Sequence, residues 1–443
     1  MKKRSDLTAP ILSAVFMGLG QIVVLKQYIK GIIFALVEVI TLLSSRRIAR
    51  AIEGLITLGD PKPNLPIAQR DNSTFMMLDG LIAIVVVIII ALIYIYNIRD
   101  ARKTAKTYMR TGVLPSEKDF FSDMGEKTFA YFALSPAFVL LAFFVIIPLV
   151  FTVLIAFTNY SAPDHIPPNN TVDWVGFETF REMLSLKQFS QGFTRTAIWT
   201  FIWAFLSTVT CYFGGMFLAL ALLDKKIKIA GFFRTIFILP YAIPGMISLY
   251  MWAILLNGQF GPITKALRQL GVISWLQNIG ILKKDIIPWL SDPVLAKVML
   301  ILVNLWLGAP YFMLMITGIM TSMRQDIFEA ALIDGASKAQ QFRYITLPML
   351  LYQTMLLLIM SFSYNMNNFG GVYFLTNGNP TDTITTQSYA GTTDTLITWM
   401  YKLTLDQRLY NKASVVAIIM FLVVAPFAMY NFAQTKAFKD GEV

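Results

Sequence analysis

Long apolar runs with few or no charges alternate with short polar ones along almost the whole chain. Such runs occupy Tyr28–Leu43, Leu78–Asn97, Phe129–Phe157, Thr196–Leu223, Thr235–Leu256, Val298–Met323, Met349–Leu375 and Ala413–Phe432. Most reach the ~20 residues a helix needs to cross a bilayer core. None alternates polar and apolar residues with the period of two that a membrane β-barrel requires. The pattern therefore predicts an all-α, polytopic membrane protein with about eight transmembrane helices. One further run, Leu7–Leu25, is short and carries Gly18, Gly20 and Gln21. It reads as an interfacial or re-entrant helix. With Met1-Lys2-Lys3-Arg4 before it, the run imitates a secretory signal, but no small-x-small cleavage site follows, so it is expected to be retained.

Composition agrees. The chain has 443 residues, 56% hydrophobic and only 14% charged, against about 25% charged in soluble domains. The net charge of +11 is read as Lys and Arg on cytoplasmic loops, not as a nucleic-acid surface. The densest basic block, Arg99 to Lys127, is placed in the cytoplasm. Alternation of spans then puts both termini and the 324–345 loop inside. The same parity puts the basic stretch Arg46–Arg70 outside, against the usual charge rule. Cys211 and His165 are single residues of their types, so neither an internal disulfide nor a zinc site of the usual ligand set is expected.

Missing residues narrow the function. The segments 129–157, 196–223, 235–256, 298–323, 344–381 and 413–435 contain no Asp, Glu, Lys or Arg. A proton-coupled carrier, which needs an intramembrane ionisable group, is disfavoured. Sodium coupling through carbonyls and hydroxyls stays open. No GxxxxGK[ST] phosphate loop is present, so ATP is not bound here by that device. No cofactor and no metal are expected, and no acid–base carboxylate pair lies within the spans.

Between the last spans lies a polar, small-residue stretch, Glu329 to Pro348. Glu329, Ala330 and Ala331 are followed at fixed spacing by Gly335 and by Ile345-Thr346-Leu347-Pro348. Small residues let a short helix lie close against a partner, Glu329, Asp334 and Arg343 give polar edges, and Gly335 permits a sharp turn. Pro348 is read as starting the next span, where its missing N–H costs little. The spacing resembles the EAA-x3-G-x9-I-x-L-P coupling loop of ABC importer permeases. Ile155–Ala162, Leu239–Gly245, Asn304–Tyr311 and Ser361–Phe369 followed by Leu375–Pro380 narrow the resemblance to the MalF-type permeases of maltose and maltodextrin import, from about residue 129 onward. The 35-residue connection from Thr158 to Gly192 resembles the compact form found in Gram-positive bacteria.

That resemblance implies a type I ABC importer permease fold, with an N-terminal membrane-associated region over 1–128 and a six-span core over 129–443. It implies a second homologous permease, a homodimeric cytoplasmic ATPase docked on Glu329, Ala330, Ala331, Asp334, Gly335 and Pro348, and an extracellular sugar-binding lipoprotein meeting Asn257–Lys297 and Thr376–Lys412. Membrane lipid is the remaining partner.

A neutral sugar presents hydroxyls and flat C–H faces, so its site needs amides and aromatic rings without net charge. Asn304, Gly308 and Tyr311, at i, i+4 and i+7, share one helix face. Tyr364, Asn365 and Asn368 form a second cluster, with Asn365 and Asn368 at i, i+3. The resemblance assigns these six and Tyr241 to substrate contact. Gly245 stands where a hydroxyl residue is expected. Met366 and Asn367 are expected to face the partner subunit or lipid. The alternative use for the polar residues is helix–helix hydrogen bonding, with Gly308 as a close-packing residue. Pro240, Pro244 and Pro310 are compatible with kinked helices. Alternative cargoes are raffinose- or galacto-type oligosaccharides; an ion-coupled sugar carrier is a different class.

Overall fold

The computed structural model describes residues 5–113, 129–224 and 227–433. Met1–Arg4, Lys118, Lys127, Lys225, Lys226, Lys436 and Lys439 lie outside them, as does residue 128, where the N-terminal region was expected to end. Among the described residues the chain is helical, with no strand and two isolated β-bridges. Among the described residues, seven helices are long and apolar enough to cross a membrane, and eight if the bent helix pair counts as one span. The expected all-α polytopic class holds. The chain divides into two compact units, Met1–Phe177 and Glu178–Val443.

The first unit contains α1 (Ser5–Val15), α2 (Leu19–Val23), α3 (Tyr28–Thr57), α4 (Ser73–Thr111), α5 (Phe129–Leu141) and α6 (Ile147–Ile155). α3 runs fourteen residues past Leu43 because Arg46–Thr57 continues it as an amphipathic turn-by-turn extension, closed where Leu58 N–H bonds Gly54 O. Asn72 caps α4 through the Thr74 and Phe75 amides at 3.1 and 3.3 Å. Gly80 lets α4 touch α3: a Cβ there would sit 2.8 Å from the Ala51 carbonyl.

Leu7–Leu25 is not a span. It folds as α1 and α2 around Gly18, whose φ of 83° suits glycine. Buried amides and hydroxyls fix the turn. Ser13 donates to Gln21 at 2.7 Å, Gln21 to the Asn97 side chain at 2.9 Å, and Asn97 to the Ser13 carbonyl at 3.0 Å. Beside them Lys30 and Asp100 form a buried ion pair at 2.6 Å. Such groups persist in an apolar setting only when they satisfy one another.

α5 and α6 are joined by a π-turn, Ala142–Ile146, immediately before Pro148. A helical proline lacks its N–H and its ring strikes the carbonyl four residues back. The wider π-turn moves that carbonyl aside.

The second unit is built on α7 (Lys187–Leu223), α8 (Ala230–Ala242), α9 (Gly245–Leu255), α10 (Pro293–Ser322), α11 (Gln325–Ile333), α12 (Leu347–Met366), α13 (Phe369–Thr376), α14 (Leu396–Tyr401) and α15 (Tyr410–Ala433). α7 and α10 form its central pair. Cys211, Tyr212, Met216, Phe312, Met313 and Ile316 interlock between them and reach Leu350 of α12. The Tyr212 and Thr354 hydroxyls share a hydrogen bond of 2.9 Å across α7 and α12. The two helices approach closely at Gly215, where a Cβ would meet the Ala309 carbonyl at 2.6 Å and the Met313 nitrogen at 2.7 Å. Backbone cannot retreat as a flexible side chain can. Gly215→Leu is therefore expected to cost at least the ~1–3 kcal/mol of ordinary overpacking and to lower the thermal midpoint of the solubilised complex by on the order of 5 °C, read by differential scanning fluorimetry.

At the end of this unit remote from α11, residues 377–409 form a polar cap. Trp199 and Trp399 donate to the Thr393 and Ser388 carbonyls at 3.0 and 2.8 Å. Fully buried Asp394 pairs with Lys402 at 2.8 Å. Arg195 joins Asp382 and the Ala390 carbonyl. Burial alone would raise the Asp382 pKa, but the Thr385 amide and hydroxyl and the Arg195 guanidinium together hold it below its ordinary value. Its contribution is complete above about pH 4 and is lost as pH falls through the depressed value.

Candidate functional site: an uncharged cavity and a solvent-facing loop

Polar side chains inside the second unit converge on one cavity of about 770 Å³. Its walls come from α7 to α10, α12 and α13. α8 and α9 meet at 95°. Ile243, extended before Pro244, makes that corner. Tyr241 at the end of α8 and Gly245 at the start of α9 both face the space the corner opens. Pro310, by contrast, sits within an unbroken α10.

All seven residues singled out for substrate contact, Tyr241, Asn304, Gly308, Tyr311, Tyr364, Asn365 and Asn368, line this cavity. Asn304, Gly308 and Tyr311 share the face of continuous α10 that their spacing predicts. The Tyr311 ring lies 6.3 Å from that of Tyr241 at 32°, a tilted pair on one wall. Packing roles coexist with this placement. Asn304 donates to Cys211 Sγ at 3.5 Å. A Cβ at Gly308 would come within 2.7 Å of the same sulfur. Asn365 is buried and donates to Thr208 Oγ1 at 3.1 Å.

The second cluster departs from its expected geometry. The apolar run Met349–Leu375 is not one helix. α12 ends at Met366, and Asn368 caps α13 by accepting the Gly371 amide at 2.9 Å. An asparagine side chain that bonds a nearby amide competes with the helix ladder, and three asparagines stand together here. Asn365 and Asn368 thus belong to different helices and still meet at one cavity. Asn367, expected to face a partner or lipid, also lines it, while Met366 is buried in the protein. Sequence reasoning also missed Phe369 and Phe374. The signal was available, since these rings follow directly on the asparagine cluster.

Among the described residues, no charged side chain lines the cavity. Its amides, tyrosine hydroxyls and ring faces can bind and orient a neutral polyhydroxylated molecule. Its volume lies within the ~300–1,000 Å³ of ordinary ligand sites.

The stretch Glu329–Pro348 forms the other candidate site. α11 carries Glu329, Ala330 and Ala331, and ends at Asp334. Gly335 turns the chain with φ 80°. A short helix, Lys338–Gln341, is opened by a capping box between Ser337 and Gln340. Phe328 and Phe342 tie the loop to the core cluster below. Glu329, Ala330, Asp334 and Gly335 face solvent. So do Leu332 and Ile333, the latter 86% exposed, and the sequence reading had not singled these two out. Pro348 stands in the first turn of α12, but the span begins earlier, at Lys338. The helix runs unbroken from Lys338 to Met366, with a π-turn at Phe342–Thr346 that makes room for the proline ring.

Residues 211–435 match the family described as binding-protein-dependent transport system inner membrane component. The chain is 35% identical over 431 residues to the galactooligosaccharides transport system permease protein GanP of Bacillus subtilis, covering 97% of this chain and 98% of that one. It is 36% identical over 446 residues to the maltodextrin transport system permease protein MalC of Streptococcus pneumoniae, covering 100% and 99%. Among solved structures, a bacterial ABC transporter involved in the import of the acidic polysaccharide alginate shares the fold, with a TM-score of 0.56 at 20% identity over 72% of this chain and 98% of that one. A family match over half the chain and relatives coextensive with it agree with the bent helix pair, the loop and the cavity: the chain belongs to the binding-protein-dependent transport system inner membrane components, as an ABC importer permease.

Proposed function

We propose that this permease carries a neutral oligosaccharide of the maltodextrin class through the uncharged cavity, driven by ATP hydrolysed on a separate subunit. The observation that carries this reading is the meeting of amides and tyrosine rings, without one charged side chain, in a single space. An acidic polymer such as alginate would need cationic partners that this wall lacks. Tyr241, Tyr311 and Tyr364 supply ring faces; Asn304, Asn365 and Asn368 supply amides; Gly308 leaves room between them. A second homologous permease completes the path, and a homodimeric ATPase docks on Glu329–Pro348. With both termini cytoplasmic, an extracellular sugar-binding lipoprotein meets the opposite face. ATP-driven closure of the two ATPases draws the loops together and reorients the helices around the cavity.

Galactooligosaccharide is the second reading, supported by the near-equal similarity to GanP. Uptake of labelled maltotriose into a deletion strain carrying the wild-type importer separates the two. Excess unlabelled maltodextrin should abolish uptake, and excess galactooligosaccharide should not. Absence of maltotriose uptake, with labelled galactooligosaccharide taken up instead, selects the second reading. In the same assay Asn365→Ala should lower uptake by about five- to tenfold, the loss of roughly one hydrogen bond to the cargo, with the complex still assembled on size-exclusion chromatography. Unchanged uptake would remove Asn365 from the site.

A further inference from the structure

Five aromatic rings continue outward from the cavity toward the end of the second unit that carries the polar cap. Phe369 and Phe374 line the cavity itself. From Phe374 the next ring is Tyr250 of α9, with centroids 5.3 Å apart. From Phe369 the contacts run to Tyr373 at 4.6 Å and to Tyr401 of α14 at 4.8 Å. Tyr373 and Tyr401 close the group at 5.0 Å. Each step is comparable with the length of one pyranose unit.

The group is not an ordinary buried core. The large core aromatics of this unit, Trp203, Trp399 and Tyr212, are at most 1% exposed. Phe369, Tyr373, Phe374 and Tyr401 are half-buried, and Tyr250 is 46% exposed. Tyr250 also lines a second hollow of about 520 Å³, with Asn257 and Phe260 beside it and no charged residue in its wall. The Tyr250–Phe374 contact therefore lies between the two hollows. Ring faces and edges, phenolic hydroxyls and one amide, without charge, repeat the chemistry of the main cavity. An aromatic ring binds the C–H face of a sugar, and a tyrosine adds a polar handle.

We propose that Tyr250, with Phe374 behind it, forms an outer sugar subsite, and that Tyr373 and Tyr401 extend the same aromatic surface. This proposal rests on the oligosaccharide reading above. The ligand class is a linear neutral oligosaccharide too long for the main cavity, whose trailing units lie on these rings while its leading units occupy the cavity. A disaccharide fits within the cavity and does not reach Tyr250. The outer rings thus set a preference for chain length and leave recognition of the leading units to the tyrosines and asparagines further in.

The test is the concentration dependence of uptake for a disaccharide and a pentasaccharide of one sugar series, by the complete importer in cells. Tyr250→Leu keeps apolar packing but loses the flat face; Tyr250→Trp keeps the face. Tyr250→Leu should raise KM for the pentasaccharide by roughly three- to tenfold, the worth of one stacking contact, and leave the disaccharide KM within about twofold. Tyr250→Trp should restore the pentasaccharide value. Tyr401→Leu should act in the same direction. If wild-type importer moves both sugars and Tyr250→Leu treats them alike, or if Tyr250→Trp fails to restore discrimination, the outer subsite is wrong while the functional reading stands. If wild-type importer moves no neutral oligosaccharide of either length, both fail.

Discussion

Replacing Glu329 by lysine should cut sugar-stimulated ATP hydrolysis of the assembled importer by at least ~30-fold. The side chain stands in solvent on α11, so the isolated fold is indifferent to it, within the ~0.5 kcal/mol typical of surface changes. On the docking proposal, the same carboxylate loses water and faces the ATPase in the complex. Reversing a charge there costs about 2–5 kcal/mol or more, whereas a pair left in solvent contributes ~1 kcal/mol at most. Ile333→Ser tests the apolar half of the surface. The residue is 86% exposed, and losing its burial against a partner should weaken ATPase retention during purification by about tenfold. ATPase stimulation that survives at full rate in Glu329→Lys would show that this loop is not the docking surface.

Gly245→Trp should abolish uptake of every sugar the importer carries. Gly245 lines the cavity, and a Cβ built there meets nothing within 4 Å. The new side chain therefore starts in open cavity space, and on the proposed reading the indole takes the room of the cargo. Gly308 is a poorer place for the same experiment, because its Cβ would strike Cys211 Sγ and confuse blockage with misfolding. The complex should purify with normal yield and thermal midpoint, and with basal ATPase intact. Wild-type uptake in Gly245→Trp would mean that cargo passes elsewhere. Gly245→Ser, small enough to leave the cavity open, should instead change the ranking of sugars by a few-fold.

Much of this was legible in the sequence, for physical reasons that differ from part to part. The spans were legible because a helix that crosses hydrocarbon needs a long apolar run with few charges. Asn304, Gly308 and Tyr311 were legible because spacing on an unbroken helix fixes their common face. Asn365 and Asn368 were assigned to one helix because the apolar run continues through them. Side-chain capping by Asn368 overrode that pattern, and only coordinates show which amide an asparagine accepts. Pro348 was read as a helix start because proline suits a first turn. A π-turn supplies a second solution, which hydropathy does not encode. Leu332 and Ile333 escaped notice since an apolar residue in a loop announces burial, and the two turn outward instead. Leu7–Leu25 read as re-entrant from its glycines and Gln21, but the pairing of Lys30 with Asp100, seventy residues away, has no local signature.

The unbroken helix from Lys338 to Met366 has a mechanical consequence. At ~1.5 Å per residue it is a rod of roughly 40 Å, with the solvent-facing loop at one tip and Asn365 beside the other. A rod of hydrogen-bonded turns transmits a push along its axis with little loss. Its one surplus residue, in the π-turn before Pro348, is the joint at which it can bend. Between the loop and Asn365 the helical ladder widens at Phe342–Thr346, and a π-turn of this kind is where a long helix bends.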